Sequence, residues 1–150
     1  MRKRSRGFTL VDSMIGFLIL AIGALAFCAT VPVVSRSHHM ADEQTKAVQI
    51  AQWQIEQVRQ AGFLNLSFER LYPLGLVDDW DGDGPMKFTN APVVQAGRFS
   101  PSAQLRKGTG ELEIVDQGSD IREIRVTVRW TSPAGKDRSV ELTTLVGKDT

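Results

Sequence analysis

The sequence predicts an α+β chain, in which a long N-terminal helix, apolar in its first half and amphipathic in its second, packs on a small antiparallel β-sheet. Three observations predict it. Residues Met14 to Val34 carry no charge over a run of helix length. Farther on, Val48, Ala51, Ile55 and Val58 recur at spacings of three and four, the period of an amphipathic helix. Toward the C-terminus the period falls to two, where Ile124, Val126, Val128 and Trp130 alternate with Arg125, Thr127 and Arg129.

The apolar run is long enough to span a bilayer. In it only Gly16, Gly23, Thr30 and Pro32 depart from large apolar residues, Ala or Cys. At about 1.5 Å per residue it reaches roughly 30 Å, the thickness of the hydrocarbon layer. A cleaved secretory signal has a shorter apolar core followed by a small-residue site, whereas Ala24-Leu25-Ala26 sits inside this run. Every face of the helix is apolar, so a small soluble domain has no way to wrap it. Upstream, Arg2, Lys3, Arg4 and Arg6 stand without an acid among them, which keeps the N-terminus cytoplasmic and sends the chain after about Ser35 across the membrane. Asp12, at the edge of the run, is costly there unless a positive group pairs with it or the first helical turn accommodates it.

A short basic leader ending in Gly7, then Phe8-Thr9-Leu10-Val11, an acid as the fifth residue after the glycine, and an apolar helix resemble the prepilin signature of type IV pilins and type II secretion pseudopilins. The resemblance implies that a membrane prepilin peptidase cuts after Gly7 and that the new N-terminus, Phe8, is methylated. It also implies that the carboxylate of Asp12 pairs with the ammonium of the mature N-terminus, its own or a neighbouring subunit's, during assembly. The fifth mature residue in that family is usually Glu; here Asp12 keeps the charge with a reach one methylene shorter. The implied location is the bacterial inner membrane, as a single span with a periplasmic C-terminal domain, and the filament after assembly. The expected organisation is a leader over 1–7, a transmembrane helix over 8–34, its amphipathic continuation over 35–62, and an exported, loop-rich region with the sheet over 63–150. Such a helix, half in lipid and half on a small domain, resembles the pilin lollipop. The precursor carries a formal charge of +1; without the leader, 14 basic and 17 acidic side chains remain, giving −3 and no general nucleic-acid footprint.

The amphipathic stretch is expected to end near Ala61-Gly62. Pro32 either bends the helix or is simply tolerated in the membrane. His38 and His39 are adjacent, point in different directions on a helix and read as headgroup-region polar residues rather than a metal pair. From Phe63 to Ser102 turn formers dominate, predicting loops with one or two short strands. After the Ile124–Trp130 run, Ser132-Pro133-Ala134-Gly135-Lys136 makes a turn, and Val140, Leu142, Thr144 and Val146 repeat the alternation, so a hairpin is expected. A strand around Glu111 to Val115 completes an antiparallel meander of at least three strands, with the Val48, Ala51, Ile55 and Val58 stripe as its core cover. A terminal hairpin of this kind resembles the minor pilins and minor pseudopilins of the PilV and GspI kind. The sole cysteine, Cys28, lies in the apolar run, so the exported region forms no internal disulfide.

One constellation carries metal chemistry. Asp78-Asp79-Trp80-Asp81-Gly82-Asp83-Gly84-Pro85 contains D-x-D-x-D-G, the first half of a calcium loop, in which alternating carboxylates converge and glycine permits the sharp turn. The second half departs from the pattern, with Lys87 at the ninth position and Asn90 at the twelfth in place of a bidentate Glu. An EF-hand is excluded. The alternatives are a looser Ca²⁺ site on Asp79, Asp81 and Asp83, as in some pseudopilins of the resembled family, and a solvated acidic turn.

No nucleophile has a base in range and no phosphate loop is present, so an enzyme is not expected. The implied function is that of a minor pilin or pseudopilin, a structural subunit that helps to prime, cap or assemble a type IV pilus or type II secretion filament. Its partners would be the prepilin peptidase and other major or minor pilins or pseudopilins, met through the N-terminal helix in the membrane. The alternative is a binding module displayed on a filament, for DNA uptake or adhesion. That reading rests on Arg122, Arg125, Arg129, Lys136 and Arg138, with Arg125 and Arg129 sharing one strand face. Nucleic acid remains the less favoured partner, because such charges are usually the solvated face of a strand.

Overall fold

The apolar run and the amphipathic stretch form one helix, α1, over Leu10–Ala61. In this computed structural model residues 10–92 and 97–148 are described, and for residues 29–38 only the backbone is. The chain divides into two compact units, one ending at His39 and the other beginning at Met40. In the first unit, α1 opens with Asp12 in its first turn, where a carboxylate meets the positive end of the helix dipole. Over Leu10–Cys28 the mean hydropathy is 2.3 and no residue is buried. Val11, Ile15, Phe17, Ile19, Leu20 and Leu25 are all exposed, and between them they point to every side of the helix. A helix of this length and composition is apolar enough to cross a membrane.

The second unit is built on the rest of α1. A single 3₁₀ turn, Phe63–Asn65, follows it, then two short helices, α2 (Phe68–Leu71) and α3 (Pro101–Gln104). They flank β1 (Met86–Lys87) and precede β2 (Thr109–Asp116), β3 (Ile121–Thr131) and β4 (Asp137–Gly147). The strands form one antiparallel sheet in the order β1-β2-β3-β4. The meander expected from the alternation is present, and β1 extends it by two residues. Within Phe63–Ser102 the expected loops are interrupted by the 3₁₀ turn and both short helices, elements too brief to leave a period in the sequence.

Alternation decides which sheet face is inside. Leu112 on β2, Ile124, Val126, Val128 and Trp130 on β3, and Val146 on β4 are buried. They pack with Ala47, Ile50, Ala51 and Val58 of α1 and with Phe63, Leu71, Val77 and Phe88 from the connecting segments. The helix stripe differs from expectation by a rotation. The fully buried line runs through Ala47, Ile50, Ala51, Gln54 and Val58, while Val48 and Ile55 are half-buried at its flanks. Gln54 is the reason a polar residue lies on that line: only 1% exposed, it donates from Nε2 to the Leu76 carbonyl at 2.6 Å and ties the helix to the segment that leads into the aspartate loop. A buried amide is tolerated when it is hydrogen-bonded in this way.

Two close approaches hold β1 and β2 together. The ring of Phe88 lies against Gly110, where a Cβ would come within 2.5 Å of Cε2, so only glycine fits there. Phe88 also donates its backbone N–H to the Gly110 carbonyl at 3.0 Å.

Candidate functional site

The processing residues expected from the sequence, Gly7 and Phe8, lie outside the described residues. Asp12 is described, exposed, in the first turn of α1. It stands two residues inside the apolar span and is the only acid in α1 before Asp42.

The aspartate loop is held by a hairpin-like closure. Asp79 and Lys87 form an antiparallel bridge, in which Lys87 N donates to the Asp79 carbonyl at 2.7 Å and Asp78 N donates to the Lys87 carbonyl at 2.8 Å. Gly82 and Gly84 turn the chain between them at positive φ, 86° and 75°, a region other residues enter only with strain. The Trp80 indole N–H closes over the turn onto the Gly84 carbonyl at 3.1 Å. This closure brings the Lys87 ammonium onto the carboxylates, 2.8 Å from Asp81 Oδ2 and 3.3 Å from Asp79 Oδ2. Its hydrogen bond to Asp81, then that to Asp79, raises the Lys87 pKa above the ordinary lysine value. Asp83 is occupied otherwise, accepting from Gly84 N at 2.9 Å, and Asp78 accepts from the backbone N–H of Asn90. Among the described residues no group of three or more carboxylates, histidines or cysteines stands together to hold a metal ion. As placed, a lysine ammonium stands between Asp79 and Asp81, and the backbone N–H of Gly84 engages Asp83.

The solvent face of the sheet carries Arg125 and Arg129, whereas Arg122 shares the parity of the buried Ile124. Arg125 is 2.9 Å from Glu113, 2.8 Å from Glu123 and 3.4 Å from Glu141. The Glu123 hydrogen bond, followed by the charges of Glu113 and Glu123, raises its pKa further and keeps the guanidinium charged. Arg129 pairs with Glu111 across β2 and β3. Arg122 is drawn to the loop after α1: it pairs with Asp116 at 2.7 Å, donates to the Phe63 carbonyl at 3.0 Å, and lies 4.5 Å from the Phe63 ring centroid. The expected basic stripe is therefore interleaved with carboxylates, and around Arg125 and Arg129 acids outnumber bases.

A cleft of about 540 Å³ opens beside this network. Phe68, Trp80, Met86 and Ile114 give it apolar walls, and Glu69 and Asp116 stand on its rim. Phe68 lies between two exposed aromatics, 5.3 Å from Tyr72 and 5.6 Å from Trp80 between ring centroids. Sequence reasoning did not find this cleft. Its one sequence signal is the concentration of Phe68, Tyr72 and Trp80 in a segment otherwise made of turn formers.

No protein family, curated protein or solved structure matches the chain.

Proposed function

We propose that this chain is a minor pilin or minor pseudopilin, a structural filament subunit without catalytic activity. In this reading the leader is removed after Gly7 by a prepilin peptidase, and the subunit helps to prime, cap or assemble a type IV pilus or a type II secretion filament. One observation carries it: an acid, Asp12, sits in the first turn of a helix whose next 23 residues are uncharged, five residues after a glycine that ends a leader with four basic residues and no acid. An acid in that place costs free energy in a bilayer unless a cation meets it. Cleavage before Phe8 creates an α-ammonium four positions before Asp12 in the sequence. The exposed apolar span Leu10–Cys28 supports the same reading, since it offers a membrane half to neighbouring helices, and the helix-then-sheet order is that of the pilin-like layout. The N-terminus is then cytoplasmic and the sheet periplasmic.

The DNA-binding alternative receives no support from the arginines, each of which in β3 is paired with a carboxylate.

The test is the intact mass and N-terminal peptide of the full chain recovered from membranes with and without an active prepilin peptidase. The expected mature N-terminus is methylated Phe8, found only with the peptidase. A chain that keeps Met1 to Gly7 in both membranes overturns the proposal.

A further inference from the structure

The cleft beside β2 lies against an unfinished sheet edge. β1 pairs with β2 for two residues, Met86 with Leu112 and Lys87 with Glu111, and then Pro85 and Gly84 lead the chain away. β2 continues through Glu113 to Asp116, fully paired with β3 on its other side. Among the described residues no strand pairs with this part of β2 on the β1 side.

Parity identifies the open backbone groups. In an antiparallel ladder, alternate residues send both N–H and C=O to the same neighbour. Gly110 receives the Phe88 N–H on the β1 side, so Gly110, Leu112, Ile114 and Asp116 address that side. The last two lie beyond the end of β1. Gln117, of opposite parity, donates to the Ile121 carbonyl, which turns back into β3 as this assignment requires. An edge with unpaired groups of this kind is a template for an added strand.

Shape and charge narrow the occupant. Next to the open edge the cleft presents Phe68, Trp80 and Met86, a recess for one large apolar side chain. Its lining carries three acids, Glu69, Glu113 and Asp116, against the single cation Arg122, which is already held by Asp116. The adjoining turn adds Asp79, Asp81 and Asp83 against Lys87. A strand entering here meets net negative charge on both flanks.

We propose that this cleft binds an extended segment of a partner protein as an added strand on Ile114 and Asp116, with a large apolar residue packed against Phe68, Trp80 and Met86 and flanking lysines or arginines facing the acidic rim. The recognition is β-augmentation, in which main-chain hydrogen bonds supply affinity and the pocket supplies selectivity. It does not depend on the filament reading.

The experiment uses the full chain in a neutral detergent and four fluorescein-labelled eight-residue peptides. One alternates lysine with valine around a central leucine, and a second replaces its lysines by glutamates. The third and fourth are the lysine peptide N-methylated at its odd or at its even positions. Anisotropy is expected to show the lysine peptide binding at least about tenfold more tightly than the glutamate one. One N-methylated set should lose about tenfold and the other should keep its affinity, because only one face of an added strand pairs with β2. Trp80→Ala should weaken the lysine peptide by a similar factor. Ile114→Pro removes an edge N–H without touching the β3 ladder and should do the same. Should that variant fail to fold, the N-methyl pair decides alone. Equal affinity of both N-methylated peptides, or of the lysine and glutamate peptides, overturns the proposal, as does unaltered binding to Trp80→Ala.

Discussion

Lys87 occupies the place between Asp79 and Asp81 that a cation would need, and this fixes what the aspartate loop does with its charge. The pairs are solvent-exposed, so water and salt screen their contribution to stability. The raised Lys87 pKa sets the sign of the pH dependence. The contribution is complete below the ordinary lysine range and is lost as pH rises through the raised value, so titration from pH 7 to pH 9 should leave the loop closed. A divalent ion must displace this ammonium before two of the three aspartates are available. Calcium is therefore expected to raise the thermal midpoint of Lys87→Gln more than that of the parent chain. Equal responses in a calcium titration followed by differential scanning fluorimetry would show that Asp79 and Asp81 are not the ligands. Asp12 poses the corresponding question in the apolar half of the chain. On the proposed function, Asp12→Glu should be processed and recovered with other filament subunits as the parent is, whereas Asp12→Ala should be processed but not recovered with them. Affinity copurification from membranes distinguishes the two, and recovery of Asp12→Ala at the parental level would remove the assembly role of the carboxylate.

The helix α1 and the strands were legible in the sequence where they are long enough to repeat a period. The uncharged run, the alternation of Ile124 to Trp130 and that of Val140 to Val146 each span several turns or residue pairs, and these elements lie where the periods put them. The segment between α1 and β2 was not legible, because α2, β1 and α3 are two to four residues long and are fixed by contacts remote in sequence. Gln54 shows the mechanism. Nothing local places a glutamine on the buried line; the Leu76 carbonyl, 22 positions away, does. Gln54→Leu should then leave that carbonyl buried without a donor and cost about 1–3 kcal/mol, read from chemical denaturation. A loss under about 0.5 kcal/mol would mean that water replaces the amide. The β1–β2 approach is equally specific. Gly110→Ala drives a methyl into the Phe88 ring and should cost about 1–3 kcal/mol, with Phe88→Leu recovering part of the loss in a double-mutant cycle. Strictly additive losses would show that the two residues are not in contact. Of the candidate site, the Asp/Gly turn was legible by composition, but the lysine that enters it was visible only as a mismatch at the ninth position of a calcium pattern.

At the scale of the whole molecule, the two units answer to different solvents, and their sequences can be perturbed separately. The unit from Met40 onward buries its apolar side chains on a sheet, as a water-soluble domain does. The span Leu10–Cys28 buries none of its residues, and an apolar surface of that extent calls for lipid or other apolar helices. A charge in mid-span is the test, because it separates the two demands. Ile19 is 65% exposed, so Ile19→Arg removes no core side chain and should shift the unfolding of the sheet domain by no more than about 0.5 kcal/mol. In a bilayer the same arginine costs about 2.5–3.5 kcal/mol at the centre of a spanning helix. The expected result is a fall in the carbonate-resistant membrane fraction of the full chain with an unchanged midpoint in detergent. If the membrane fraction does not move, the span is not held by hydrocarbon. If instead the midpoint drops by several degrees, the apolar run belongs to the folded domain, and the separation of the chain into a lipid half and a water half is wrong.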